Sequence, residues 1–375
     1  MKGLLKVGLF FTLIITLALS GCEKVKINNQ TFELIGEVQW DDVNDFSEGL
    51  AAVKKDDKWG FINNLGEVVI NPQYNAVWSF KDGLCSFQED GKWGFIDNLG
   101  NVVIAPQYTT AWYFNEDRAA IEIDGKFGYI DKSGNIIVEP QYTEATNFSE
   151  GVAVVKLGNK YGYIDKQGKV ISDFLWSGAG IMKEGLAEVF QEYLSGFIDN
   201  TGAMVIPMEI EDAGNFSEGL NKAKVKLKWG YIDKSGQFVI EPQWSDVFDF
   251  HEGIALILQN NKYGYINNKG ETIAEPTYTN AYDFKDGLAR VAETQGLISI
   301  WGFIDKQGAM IIPAVWEEAR NFNEGFAAVY QALKWGFIDK TGNVVMNPMW
   351  DEVGSLKEGC VRVQKGSKFG FLKVK

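Results

Sequence analysis

A glycine followed by Phe or Tyr recurs at a near-constant spacing ten times in this 375-residue chain, at Gly60, Gly94, Gly128, Gly162, Gly196, Gly230, Gly264, Gly302, Gly336 and Gly370. Every step is 34 residues except one of 38, where "ETQGLISIWG" carries four extra residues, as a loop insertion would. The preceding residue is aromatic in all units but one, where it is Ser195, and the following residue is always Phe or Tyr. Self-similarity at a fixed period of this size marks a repeat architecture, in which each unit covers the face of the next.

Within a unit, a turn such as "FSEG" precedes a short strand ("LAAVKK" from Leu50). A polar turn leads to a second strand ("WGFID"), and a "DNLG" step ends in a glycine suited to positive φ. A third strand ("VVI") follows, and all eight prolines lie at its end, where a missing N–H costs no central ladder bond. The unit therefore reads as a three-stranded meander plus a link such as "QYNAVWSF". Trp59 and Phe61 point to one face and Gly60 and Ile62 to the other, so neither face suits water. The glycine is expected where a bulky neighbour approaches the backbone.

The fold expectation is all-β, a tandem array of about ten such repeats over residues 31–375, open and superhelical. The alternative is a closed, propeller-like ring. Thr31–Phe46 aligns with the third strand and link of a unit, and the C-terminal "EGCVRVQKGSKFGFLKVK" supplies the first two strands. A shared terminal unit would close such a ring, although any array cut at an arbitrary phase has complementary ends. Unit five, with Ser195 and the glycine-rich link "WSGAGIM", is expected to be the weakest seam.

These tandem aromatic-Gly-aromatic-Ile steps, each followed by "DxxG" and a proline-bounded strand, resemble the bacterial WG-repeat (KWG-type) family over roughly residues 38–371. The resemblance implies an interaction scaffold and carries over no catalytic residue.

Residues 1–21, with Lys2 and Lys6 before an apolar run from Val7 to Leu19, read as a signal peptide too short to span a membrane comfortably. "LSGC" resembles a lipoprotein cleavage site, which makes Cys22 the lipidated mature N-terminus and residues 22–30 a tether. The expected location is extracytoplasmic, anchored to a bacterial membrane (the outer membrane, or the outer face of the plasma membrane). Without Lys2 and Lys6 the chain keeps 34 basic and 50 acidic residues, a net charge of −16, which opposes nucleic acid and anionic lipid surfaces.

Chemistry is sparse. His251 is the only histidine, and Cys85 and Cys360 occupy positions held elsewhere by small apolar residues. No His/Cys metal cluster or repeated catalytic triad can be assembled, and the acids fall in turns where an Asp bonds its own backbone. The expectation is no enzyme, no catalytic or metal-binding residue and no cofactor. What varies between units is then free to bind. One link column reads Asn44, Trp78, Trp112, Thr146, Gly180, Gly214, Phe248, Tyr282, Arg320, Gly354. Its aromatics fall in two pairs of adjacent units, Trp78 with Trp112 and Phe248 with Tyr282, and these four with Tyr113 are the candidate binding residues. The expected function is a scaffold for protein–protein interaction at the cell envelope, and the alternative is binding of an envelope glycan.

Overall fold

The structure, a computed structural model, describes residues 29–295 and 298–375. The apolar leader, Cys22 and most of the expected tether lie outside those residues. After β1 (Phe32–Trp40), the first complete repeat runs through β2 (Asp42–Val43), β3 (Leu50–Lys55), β4 (Lys58–Asn63) and β5 (Val68–Tyr74). Two tight turns set this frame. Glu48 and Gly49 have φ of 53° and 80°, and Asp56 and Asp57 have 49° and 61°, the paired positive values of a type I′ hairpin matched to strand twist.

Each repeat is a four-stranded antiparallel sheet in the order β2-β3-β4-β5, and the described residues form ten such sheets. The expected three-stranded meander gains its fourth strand from the preceding link, because Asp42 and Val43 pair with Lys54 and Val53 of β3. An extended link beside an open edge satisfies its backbone groups there.

The tenth sheet settles open against closed. It joins β1 to the C-terminal strands, with Phe32 opposite Val374 and Leu34 opposite Leu372. The expected open array is overturned, and the chain is a closed ten-bladed propeller ring. Closure covers two apolar faces that an open array would leave wet: Trp40, Val43 and Phe46 pack on Phe371, and Phe32 packs against Trp335 and Phe337.

A ring of carboxylates runs through the β2–β3 turns. Every turn carries Glu or Asp at a left-handed position (Glu48, Asp82, Glu116 and their counterparts to Glu358), a conformation that costs about 1–3 kcal/mol for a side-chain-bearing residue. Each carboxylate accepts from an amide of the next blade's turn: Glu48 from Gly83 at 3.0 Å, Glu150 from Glu184 and Gly185 at 2.7 and 2.6 Å. Glu324 accepts from Glu358 and Gly359, and Glu358 accepts from Glu48 and Gly49 at 2.8 and 2.9 Å, which completes the circle. Charge-assisted bonds of this kind offset the local strain. Successive turns within hydrogen-bond reach all the way round form the narrow circle of the ring. β2 and its counterparts therefore line the axis, and β5 and its counterparts form the rim.

The invariant glycine has a different cause from the one expected. A Cβ on Gly60 would lie 2.3 Å from the Ile70 carbonyl oxygen and 2.5 Å from the Pro72 nitrogen, so the obstructing neighbour is the backbone of the same blade. Trp59 pairs with Tyr74 and Phe61 with Ile70, which leaves a bulge at Asn71–Gln73 pressed over Gly60. Pro72 accordingly sits inside β5 rather than ending it, at a bulge where its missing N–H costs no ladder bond. The four extra residues after Gly264 lengthen a hairpin instead of forming a loop. The strands Leu288–Gln295 and Ile298–Asp305 have eight residues each, where β3 and β4 have six.

Cys85 and Cys360 are free and buried. The aspartates of the β4–β5 turns bond their own backbone: Asp97 Oδ1 accepts from Leu99 and Asn101 at 3.0 and 2.8 Å.

Candidate functional site

Position 44 and most of its counterparts follow directly on the short axial strand. The Trp78 amide donates to the Ser86 carbonyl and the Trp112 amide to the Ala120 carbonyl, so each link residue stands opposite one residue of the next strand, on the same face. That partner column reads Ala52, Ser86, Ala120, Val154, Glu188, Lys222, Leu256, Arg290, Ala328, Arg362. The two columns trade volume. Trp78 and Trp112 face Ser and Ala, whereas Gly214 and Gly354 face Lys222 and Arg362. A Cβ on Gly354 would sit 2.5 Å from Arg362 Cγ, and one on Gly214 would sit 2.7 Å from Lys222 Cε. These glycines are therefore space for long cations.

Of the five candidate aromatics, Trp78 (45% exposed) and Trp112 (38%) come together. Their rings lie on neighbouring blades with centroids 6.3 Å apart and planes 31° apart. Phe248 and Tyr282 do not form the second pair that the sequence suggested. Phe248 is half-buried against Tyr263 of its own blade at 6.2 Å. Tyr282 is exposed, but Arg290 covers its ring at 3.5 Å. Tyr113 is half-buried, with the Lys81 ammonium 4.6 Å from its centroid.

The structure adds residues that the sequence reading passed over. A cavity of ≈ 400 Å³ beside Trp78 is lined by Asn44, Asp45, Ser79, Lys357 and Arg362 among others, from blades ten, one and two. Three consecutive blades can share a cavity only where they converge, near the axis. Arg362 Nε lies 3.3 Å from Asp45 Oδ1, and Lys357 Nζ lies 4.0 Å from Asp45 Oδ2. The signal was available: the column of Arg362 varies as freely as that of Trp78, and three of the chain's four arginines fall on the inner strands of the last three blades.

The aromatic step is less uniformly buried than its recurrence suggests. Trp229, Trp301 and Trp335 are buried, while Trp59 and Trp93 are half-exposed. Cations from the axial columns account for part of the difference: Arg290 lies 5.3 Å from the Trp301 ring and Arg320 lies 4.6 Å from that of Trp335.

In blade five the step residue is Ser195, and Glu188 stands beside it, both buried. Glu188 Oε1 has no hydrogen-bond partner among the described residues. Burial pushes this carboxyl up to about 7 from an ordinary value of 4.5, and the Ser195 hydroxyl offsets only part of that. Between those values the unfolded chain releases a proton that the folded ring retains, so this group's contribution to stability falls as pH rises. Glu188→Gln should therefore change little near pH 4.5 and stabilise the ring by about 1–3 kcal/mol at pH 8, at about 1.36 kcal/mol per pKa unit. Urea denaturation at both pH values checks this, and an equal effect at the two would refute it.

The fold and site together define a closed β-propeller with constant inter-blade surfaces and a variable axial face. The WG-containing repeat profile matches ten times in succession, from residues 27–59 and 59–93 through 301–332 and 335–369, and the chain belongs to that family. No protein of curated function matches the sequence. Among solved structures, a eukaryotic initiation factor is similar over 87% of this chain and 98% of its own, at 12% identity and a TM-score of 0.47. The tricorn protease is similar over 86% and 45%, at 12% and 0.33. The extracellular domain of a hybrid two-component system from B. thetaiotaomicron is similar over 86% and 55%, at 9% and 0.27.

Proposed function

We propose that this ring is a non-enzymatic binding scaffold, held outside the cytoplasm by a lipid on Cys22, whose ligand docks on the Trp78–Trp112 platform. The observation that carries the reading is the exposure of two large rings, in contact across adjacent blades, at positions where other units hold Gly, Thr or Asn. Exposed rings of this size are costly in water and are the residues that anchor ligands. The ligand that fits this surface best is an envelope glycan, because the amide of Asn44, the carboxylate of Asp45 and the hydroxyl of Ser79 stand beside the platform. A protein of the envelope is the second reading. It is favoured by the exposed Tyr193, Leu194 and Leu227 on the hairpin tips of blades five and six.

Two experiments test the proposal. Glycan-array binding and envelope pull-downs with Trp78→Ala and Trp112→Ala should lose their signal by about 2 kcal/mol or more per ring, as for hot-spot aromatics. Partners retained undiminished by both variants would end the platform reading. Cys22→Ser should leave an uncut, unlipidated precursor, and normal maturation of that variant would remove the anchor.

A further inference from the structure

The three axial arginines are not equivalent. Arg290 donates to the Ala319 carbonyl and stacks on Tyr282, and Arg320 pairs with Glu352 and donates to the Val353 carbonyl. Both are spent inside the ring. Arg362 lines the cavity beside Trp78, and among the described residues its guanidinium meets Asp45 through Nε, which leaves the Nη edge for a ligand. Gly354 provides the space along which its stem runs. Lys357, whose side chain is 57% exposed, adds a second cation to the same wall. One carboxylate between two cations leaves the cavity with a positive excess, inside a chain whose net charge is −14. A fixed guanidinium edge suits a planar carboxylate, which it holds through two parallel hydrogen bonds.

From this juxtaposition we infer that the axial cavity between blades ten, one and two binds a carboxylate-bearing sugar, a uronic acid residue of an acidic glycan. The carboxylate meets Arg362 and Lys357, the C–H face of the pyranose lies on Trp78, and Trp112 takes the next residue of the chain. Asn44 and Ser79 supply an amide and a hydroxyl for the ring hydroxyls. Asp45 acts as a positioning residue that orients the two cations. The inference rests on the glycan reading above and narrows it to one chemical class. A bare anion would have no use for the ring, and a neutral sugar would have none for the paired cations. The negative charge of the remaining surface repels a polyanion generally, so recognition depends on this local excess and weakens as salt screens it.

Calorimetric titration of the detergent-solubilised full-length protein with hexamers of galacturonate and of mannuronate, each beside its methyl ester, tests the inference. The free acid of at least one hexamer should bind, with its ester weaker by about tenfold or more, the worth of a hydrogen bond to a charged group. Arg362→Gln and Lys357→Gln should each bring the acid towards the affinity of the ester. Lys357 is on the surface, so its variant keeps the test sound if Arg362→Gln loosens the fold. Acid and ester binding equally, or both variants binding like the wild type, would overturn the uronate inference and leave a neutral-glycan reading standing. If neither the acids nor the esters bind, the uronate inference falls. If a glycan array is silent as well, the glycan reading falls with it.

Discussion

Phe32→Ala should destabilise the whole ring by about 3–5 kcal/mol, the cost of truncating a buried aromatic. Phe32 is 0% exposed, and its ring centroid lies 5.2 Å from Phe326 and 5.1 Å from Phe337. It stands 34 residues before Gly66, where a complete unit has its turn glycine, and its strand arrives from the N-terminus instead of from a preceding hairpin. Local bonds hold that strand in place. The amides of Thr31 and Phe32 donate to Asn29 Oδ1 at 2.7 and 2.8 Å, and the Lys375 amide donates to the Thr31 carbonyl at 2.9 Å. In an open array a lesion at the end frays one unit. In this ring it frees the edge that joins blade ten to blade one, so cooperativity should be lost along with stability. Chemical denaturation and proteolysis of Phe32→Ala read both, and a variant that melts like the wild type would count against closure through β1.

Trp335→Ala should cost a similar 3–5 kcal/mol, whereas Trp78→Ala should cost under about 1 kcal/mol, as surface changes usually do. Trp335 is 4% exposed, covered by Arg320 and by Tyr330, whose ring lies 5.1 Å away. Removing it opens a cavity and takes from the Arg320 guanidinium the ring it packs on, leaving its bonds to Glu352 and the Val353 carbonyl. Trp78 keeps nearly half its surface in water and touches the rings of Trp93 and Trp112 at their margins. Trp59→Ala should fall between them, since the half-exposed Trp59 has less to lose. Thermal melts of the three variants decide the order. If Trp78→Ala unfolds the ring as badly as Trp335→Ala, the platform is core and the proposed binding face is lost.

The candidate site was legible in part. Variation among units pointed to the column of Trp78 and Trp112, because repeated units must keep their shared surfaces and are free elsewhere. The facing column of Arg362 and Lys222 was missed because it lies within a strand that otherwise reads as core. Only strand pairing reveals that Gly354 and Arg362 share one volume. Phe248 and Tyr282 looked like a second pair for the same reason that Trp78 and Trp112 did. Sequence spacing places residues on neighbouring blades, but a guanidinium that reaches one ring and not the other decides what meets.

The 34-residue period, the first two strands of each unit, the turns that need positive φ and the apolar character of both blade faces follow from the sequence alone, since each is a local demand of backbone geometry or of hydrophobic alternation. The fourth strand of each blade, the bulge that excludes a Cβ at Gly60, the closed circle of carboxylates and the burial of one tryptophan but not its equivalent are set by tertiary structure. Each depends on where a neighbouring backbone or side chain comes to rest, and units of identical pattern do not encode that position. Closure is the clearest case. Complementary ends fit a ring and a severed array equally well, and the choice falls to the blade-to-blade angle. That angle lets ten blades return β1 to the last strand and leave no apolar face uncovered.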